Sequence, residues 1–108
     1  MRGLAVETCN GAGGALLTVQ GEVDLATAPE LQAALESALP PERARVVIDL
    51  RGVTFLDSTG LALLLRYNRR AAVSGRRVVV VKGPPHVQRA FELTGLSQRL
   101  TMVDEPPE

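Results

Sequence analysis

The stretch FLDSTGLALLL, Phe55 to Leu65, places an acid and two hydroxyls where an apolar helix begins. Asp57, Ser58 and Thr59 are all residue types whose side chains accept hydrogen bonds from the first unpaired amides of a helix. A helix N-terminus also presents free N–H groups and a positive dipole, so the same stretch reads equally as an anion site in which a phosphate on Ser58 is tolerated. Gly60 leaves room for the close approach of another surface. Capping and modification are compatible readings.

Outward from that stretch the chain alternates strands and helices. Before it, RVVIDL (Arg45 to Leu50) is a compact β-branched run of the kind buried on both faces of a parallel or mixed sheet, and RGVTFLD leads from it to the helix. The helix itself is expected from about Ser58 to Ser74, with Leu61, Leu64, Leu65, Asn68 and Ala72 on one side and Gly75 as a left-handed terminus. RVVVVK (Arg77 to Lys82) follows as a second buried strand, which makes strand, helix and strand a right-handed parallel crossover. Pro84 and Pro85 open a third helix through Thr94, closed by Gly95 with Leu96 behind it, and a short strand near Leu100 to Val103 finishes the sheet.

Towards the N-terminus, residues 4 to 8 and 15 to 20 are β-prone runs on either side of NGAGG, the pattern of an antiparallel hairpin. After GEVD, Thr27 and Glu30 have the spacing of a capping box around Pro29, and the helix they start runs to about Leu39 with Leu31, Ala34, Leu35 and Ala38 inward. Pro40 and Pro41 stop it. These elements predict an α/β fold, a mixed sheet of about four to five strands with helices packed on one face. The whole of 1–108 is expected to be a single domain, with its core over about 4–103 and a polar tail at 104–108.

Composition narrows the function. Twelve basic and twelve acidic residues cancel, and one tyrosine, two phenylalanines and no tryptophan offer little to stack on bases, so direct nucleic-acid binding is not expected. The lone Cys9 has no internal disulfide partner, MRGLAVETC lacks a signal peptide, and no run approaches the roughly 18 apolar residues of a membrane span, which together favour the cytoplasm. Ser58 lacks the G-x-S-x-G elbow of an acyl-transfer nucleophile, and the single histidine, His86, opens another helix beside two prolines. Asp57 is one residue too far from Gly60 for an Asp-Ser/Thr-Gly protease loop and has no second copy to form a dyad. No phosphate-binding loop and no metal-ligand spacing occurs, so neither catalytic nor metal-ligating residues are assigned and no cofactor is implied. Arg66, Arg69, Arg70, Arg76 and Arg77 gather near the end of the second helix, where cations complement the negative helix end or meet an acidic partner.

Three segments in order, GEVDLATAPEL, VVIDLRGVTFLDSTGLALLL and GPPHVQRAFELTGL, resemble the STAS domain of bacterial anti-sigma factor antagonists over nearly the whole chain. That resemblance implies a mixed sheet covered on one face by helices. It implies a protein that is a switch and a substrate, with no catalysis of its own. Ser58 is then the acceptor for a partner anti-sigma factor, a serine kinase that itself binds the ATP. The unphosphorylated form binds the kinase and releases its sigma factor, and a serine phosphatase reverses the modification. Asp24, Asp57, Ser58, Thr59 and Gly60 correspond to the partner-binding surface. Thr59 departs from the commoner serine and adds a second hydroxyl. The chain stops soon after Val103, so a terminal helix present in many relatives is expected to be short or missing. A second expectation from the same family is a scaffold or regulatory subunit in a lipid-transport or stress-signalling complex, with Ser58 as a cap only.

Overall fold

The computed structural model describes residues 3–11, 14–38 and 45–107. A valine-rich core strand organises them: Val46 to Leu50 are all buried, because successive side chains point to opposite faces and both faces are covered. This strand is β3 (Arg45–Leu56), at the centre of a five-stranded sheet of order β1-β2-β3-β4-β5. β1 (Leu4–Gly11) and β2 (Gly14–Val23) form the expected antiparallel hairpin, while β3, β4 (Arg77–Val81) and β5 (Thr101–Val103) each join their preceding neighbour in parallel. The crossover helices are α1 (Ala28–Ala38), α2 (Ser58–Val73) and α3 (Pro85–Leu93), and one turn of 3-10 helix at Leu96–Gln98 leads into β5. Because the strand order steps steadily in one direction, three right-handed crossovers put every helix on the same face. The main apolar core lies between them, built from Leu17, Val19, Ile48, Leu50 and Val80 on the sheet and Leu31, Leu35, Leu64, Tyr67 and Phe91 on the helices.

Several expectations are corrected by packing. β3 does not end at Leu50 but runs six residues further, through RGVTFL, because β2 pairs with it as far as Val23 opposite Leu56, across two register shifts. The buried side of α2 is Leu61, Leu63, Leu64, Tyr67 and Ala71, whereas Ala72 is exposed. α2 packs on α1 as well as on the sheet, which turns its buried stripe towards Tyr67, and the phenol hydroxyl is satisfied by donating to the Glu36 carboxylate of α1. Glycines close two helices as expected, with φ of 73° at Gly75 and 78° at Gly95 and a buried Leu96 behind the latter. The turn at Ala12 and Gly13, the end of α1 at Leu39, and Pro40 and Pro41 lie outside the described residues.

The opposite face of the sheet carries no helix. Leu16, Val47, Val79, Val81 and Val103 line up there, flanked by Asp49 and Arg51, whose guanidinium meets the carboxylate at 2.8 Å. Burial alone would raise the Asp49 pKa, but hydrogen bonds from the Arg51 side chain and backbone hold it below the usual carboxylate value.

Candidate functional site

Two acidic turns leave the sheet side by side. Val23 and Leu56 are register partners at the ends of neighbouring parallel strands, so Asp24 and Asp57 are each the first residue beyond the ladder. Adjacent strands lie about 4.8 Å apart, and the Asp57 amide donates back to the Val23 carbonyl at 3.1 Å. This is the carboxyl end of the parallel strands, where open α/β sheets build their sites.

At Asp57 the capping expectation holds and acquires an owner. Its Oδ1 accepts from the amides of Thr59 (2.9 Å) and Gly60 (3.2 Å), and its backbone is extended, as an N-cap requires. Ser58 therefore does not cap. Its side chain is exposed and its hydroxyl makes no hydrogen bond to the described residues. Thr59 is half-buried, and Gly60 is buried. A Cβ on Gly60 would fall 2.4 Å from Leu56 Cδ1 and 2.8 Å from Val23 Cγ1, so the close approach it permits is inward, seating α2 on the sheet, rather than outward to another surface.

At Asp24 the outcome differs from the capping box expected of Thr27 and Glu30. The Thr27 hydroxyl donates to the Glu22 carbonyl (2.8 Å) and accepts from the Asp24 amide (3.0 Å), so it is turned back towards β2 and leaves the helix amides alone. Asp24 Oδ1 instead accepts from the amides of Ala26 and Thr27, both at 3.0 Å, and lies 3.2 Å from the Thr27 hydroxyl. The acid thus holds the turn that aims α1, an Asx-type role three residues ahead of the residue whose spacing suggested it.

Beside both turns lies a groove of about 320 Å³ between α1 and α2, lined by Leu25, Ala28, Pro29, Thr59, Ala62 and Arg66 among others. Leu25 is 77% exposed and Phe55 is 45% exposed, two of the four large apolar side chains left in solvent among the described residues. Sequence reasoning passed over Leu25; the available signal was an apolar residue inside an otherwise polar turn, GEVDLATAP. Further along, Glu36 accepts from Tyr67 and from Arg70 (3.0 Å), and these two hydrogen bonds hold its carboxyl below the ordinary range. Of the five arginines noted in the sequence, Arg66 reaches the groove and Arg70 the Glu36 clasp. His86 is placed elsewhere, its Nε2 at 2.6 Å from the Thr54 carbonyl. Among the described residues no group of acids, histidines or cysteines is arranged to hold a metal, and no helix is long and apolar enough to cross a membrane.

Residues 11–104 match the family described as Mlab, STAS domain. The chain belongs to the STAS-domain family. It is 33% identical over 95 residues, 88% of its length and 77% of the relative's, to the anti-sigma-F factor antagonist RsfB of Mycobacterium tuberculosis. It is 30% identical over 90 residues, covering 83% of this chain and 82% of the other, to the anti-sigma-B factor antagonist of Staphylococcus aureus. Among solved structures, an anti-sigma factor antagonist from Mycobacterium paratuberculosis superposes with a TM-score of 0.81 at 29% identity, over 94% of this chain and 86% of that one. The five-stranded mixed sheet with its helices on one face is thus the STAS fold.

Proposed function

We propose that this protein is an anti-sigma factor antagonist, a cytoplasmic, non-enzymatic binding switch whose docking to an anti-sigma serine kinase is controlled by phosphorylation at Ser58. The observation that carries this reading is the exposed, unbonded Ser58 hydroxyl on the first turn of a rigid helix, in a chain about 30% identical to named antagonists. Asp57, rather than Ser58, satisfies the helix amides, so the hydroxyl is available to a kinase without loosening α2.

In the unphosphorylated state the partner surface comprises the Asp24 turn, Asp57, Ser58, Thr59 and the groove containing Leu25; Gly60 contributes by letting the turn sit tightly on Val23 and Leu56. Phosphate adds about −1.5 to −2 charge at neutral pH. Two of the first α2 amides are already engaged by Asp57, so the helix end is poorly placed to neutralise the new charge. It stands next to Asp57 and one strand from Asp24, and docking would require a dianion to be desolvated beside two carboxylates. Binding is lost while the fold stays. The ATP belongs to the partner kinase, and a serine phosphatase restores the binding form.

The test is incubation with candidate anti-sigma kinases and ATP, mapping of the modified residue, and calorimetric affinity of each form. Phosphate on Ser58, none on Ser58→Ala, and binding by the unmodified chain alone are expected. Phosphate mapped to Thr59 in the Ala variant sinks the assignment of the acceptor. Kinase binding with no phosphate incorporated at Ser58, or equal binding by the unmodified and phosphorylated chains, replaces the switch by a constitutive scaffold.

A further inference from the structure

Leu25 is held out in water by a turn whose hydrogen bonds fix the backbone on either side of it. The Asp24 carboxylate accepts from the Ala26 and Thr27 amides at 3.0 Å, the Asp24 carbonyl accepts from the Ala28 amide at 2.8 Å, and the Thr27 hydroxyl bridges the Asp24 amide and the Glu22 carbonyl. The Leu25 side chain is nonetheless 77% exposed. An apolar side chain fixed in solvent loses little further freedom when a partner covers it, which is the property of an interface anchor. Val73 and Leu93 are comparably exposed, but each is the last residue of its helix and neither lines the groove between α1 and α2. Leu25 does line it, together with Thr59, so the groove opens beside Ser58.

The same groove carries a cation. Arg66 lines it two turns beyond Ser58 on α2, about 12 Å away at roughly 1.5 Å per residue. That exceeds the screening length of about 8 Å in physiological salt, so this exposed guanidinium is not placed to neutralise a phosphate on Ser58. The Glu36 carboxylate is taken by Arg70, and Arg66 has no ion pair among the described residues. Ala28, Pro29, Ala62 and Leu63 complete an apolar lining. We propose that Leu25 and Arg66 determine which kinase docks: the anti-sigma kinase enters the groove with an apolar side chain against Leu25 and a carboxylate against Arg66. The charge is what commits the partner to an acid, since an unpaired cation beside an apolar floor is complemented by a carboxylate next to an apolar side chain. This inference rests on the reading of the protein as a kinase-docking switch and divides its surface in two, with partner choice in the groove and release on phosphorylation at the acidic turns.

The experiment compares Leu25→Ala, Arg66→Glu and, as an exposed apolar control at the other end of α2, Val73→Ala, all checked by far-UV circular dichroism. The probe is the anti-sigma kinase that modifies Ser58 in the unmodified chain, with KM and kcat read from phosphate incorporation and Kd from calorimetry of the unphosphorylated forms. Leu25→Ala is expected to raise Kd and KM by about tenfold, as loss of an anchor does, and to leave kcat within about twofold, because the interaction removed is the same before and during transfer. Arg66→Glu should weaken binding severalfold at low salt and much less at about 1 M, where charges are screened within about 3 Å. Val73→Ala should match the unmodified chain. Unchanged affinity in Leu25→Ala, a loss confined to kcat, an equal loss in Val73→Ala, or binding by Arg66→Glu as tight as that of the unmodified chain overturns the proposal. Should Leu25→Ala disturb the turn, Leu25→Gln, which keeps the length of the side chain and removes its apolar end, decides on the same readouts. Phosphate on Ser58 and loss of docking on phosphorylation, with full affinity in the Leu25 variants, would overturn this inference and leave the switch standing. No binding and no phosphate on the unmodified chain would overturn both.

Discussion

The turn at Asp24 and the turn at Asp57 are built from the same parts, an acid followed within four residues by a hydroxyl and a helix, yet they leave those hydroxyls in opposite situations. In the first, Thr27 is bonded on both sides, to the Glu22 carbonyl and the Asp24 amide, and the acid closes on the backbone of its own turn. In the second, the acid takes the helix amides alone and the adjacent Ser58 hydroxyl is left in solvent. The difference is one of spacing: an acid immediately before a helix can cap it, which frees the next residue, whereas an acid three residues earlier must recruit the intervening hydroxyl to close the turn. Proximity to a carboxylate therefore does not leave a hydroxyl free; exclusion from the capping network does.

The sharpest way to break the comparison is at Gly60, which locks the second turn to the sheet. Gly60→Ala places a methyl against Leu56 and Val23, and overpacking of this kind costs about 1–3 kcal/mol. Thermal unfolding should show that loss, whereas Ala at the solvent-facing Ser58 should change stability by less than about 0.5 kcal/mol. Equal melting temperatures for the two variants would mean that α2 is not seated through Gly60.

Next in size are the acids themselves. Asp24→Ala leaves the Ala26 and Thr27 amides without their shared acceptor, a loss of about 1–3 kcal/mol, while the Thr27 hydroxyl keeps its bond to the Glu22 carbonyl. Asp57→Ala removes an N-cap, typically about 1 kcal/mol. Denaturant titration of both separates them from a purely partner-facing role, in which neither would alter the midpoint. An effect on kinase affinity must then be read from the folded fraction, because Asp24 both shapes the turn and fronts the proposed interface.

Much of this was legible in the chain and some could not be. The β-branched runs Val46 to Ile48 and Val78 to Val81 announce buried strands because both of their faces are covered. The extension of β3 through Arg51, Gly52 and Thr54 does not, since those residues are exposed and owe their strand geometry to pairing with β2. The Asp57 cap was legible because capping is local. The groove was hidden: Leu25 and Arg66 meet only when α1 and α2 pack, and the same packing moved Tyr67 into the core in place of the side predicted through Asn68 and Ala72. The Thr27 assignment failed because a capping box and an Asx turn present the same residue types at nearly the same spacing, and only the direction of the hydroxyl separates them.

The smallest effect tests whether the two turns are held as one surface. Each turn starts a helix, and α1 and α2 are clasped at Glu36, which accepts from Tyr67 and Arg70. Those bonds pull the Glu36 carboxyl below its ordinary range in the folded protein, the Tyr67 hydroxyl contributing most. A group depressed in the folded state stabilises above its unfolded pKa and ceases to do so as pH falls through the folded value. The clasp is therefore intact at neutral pH and weakens below about pH 4.3, the ordinary glutamate value. Asp49, depressed by Arg51, adds acid sensitivity of the same sign on the other face of the sheet. Glu36→Gln should flatten only the Glu36 part of the dependence of melting temperature on pH, without abolishing the rest. The change should be small, because Arg70 and Glu36 are both about half exposed and screened, and 1 M salt should shrink it further. Identical pH profiles for the two proteins at low salt would show that the clasp does not couple α1 to α2, and that the Asp24 and Asp57 turns are aligned by the Val23–Leu56 ladder alone.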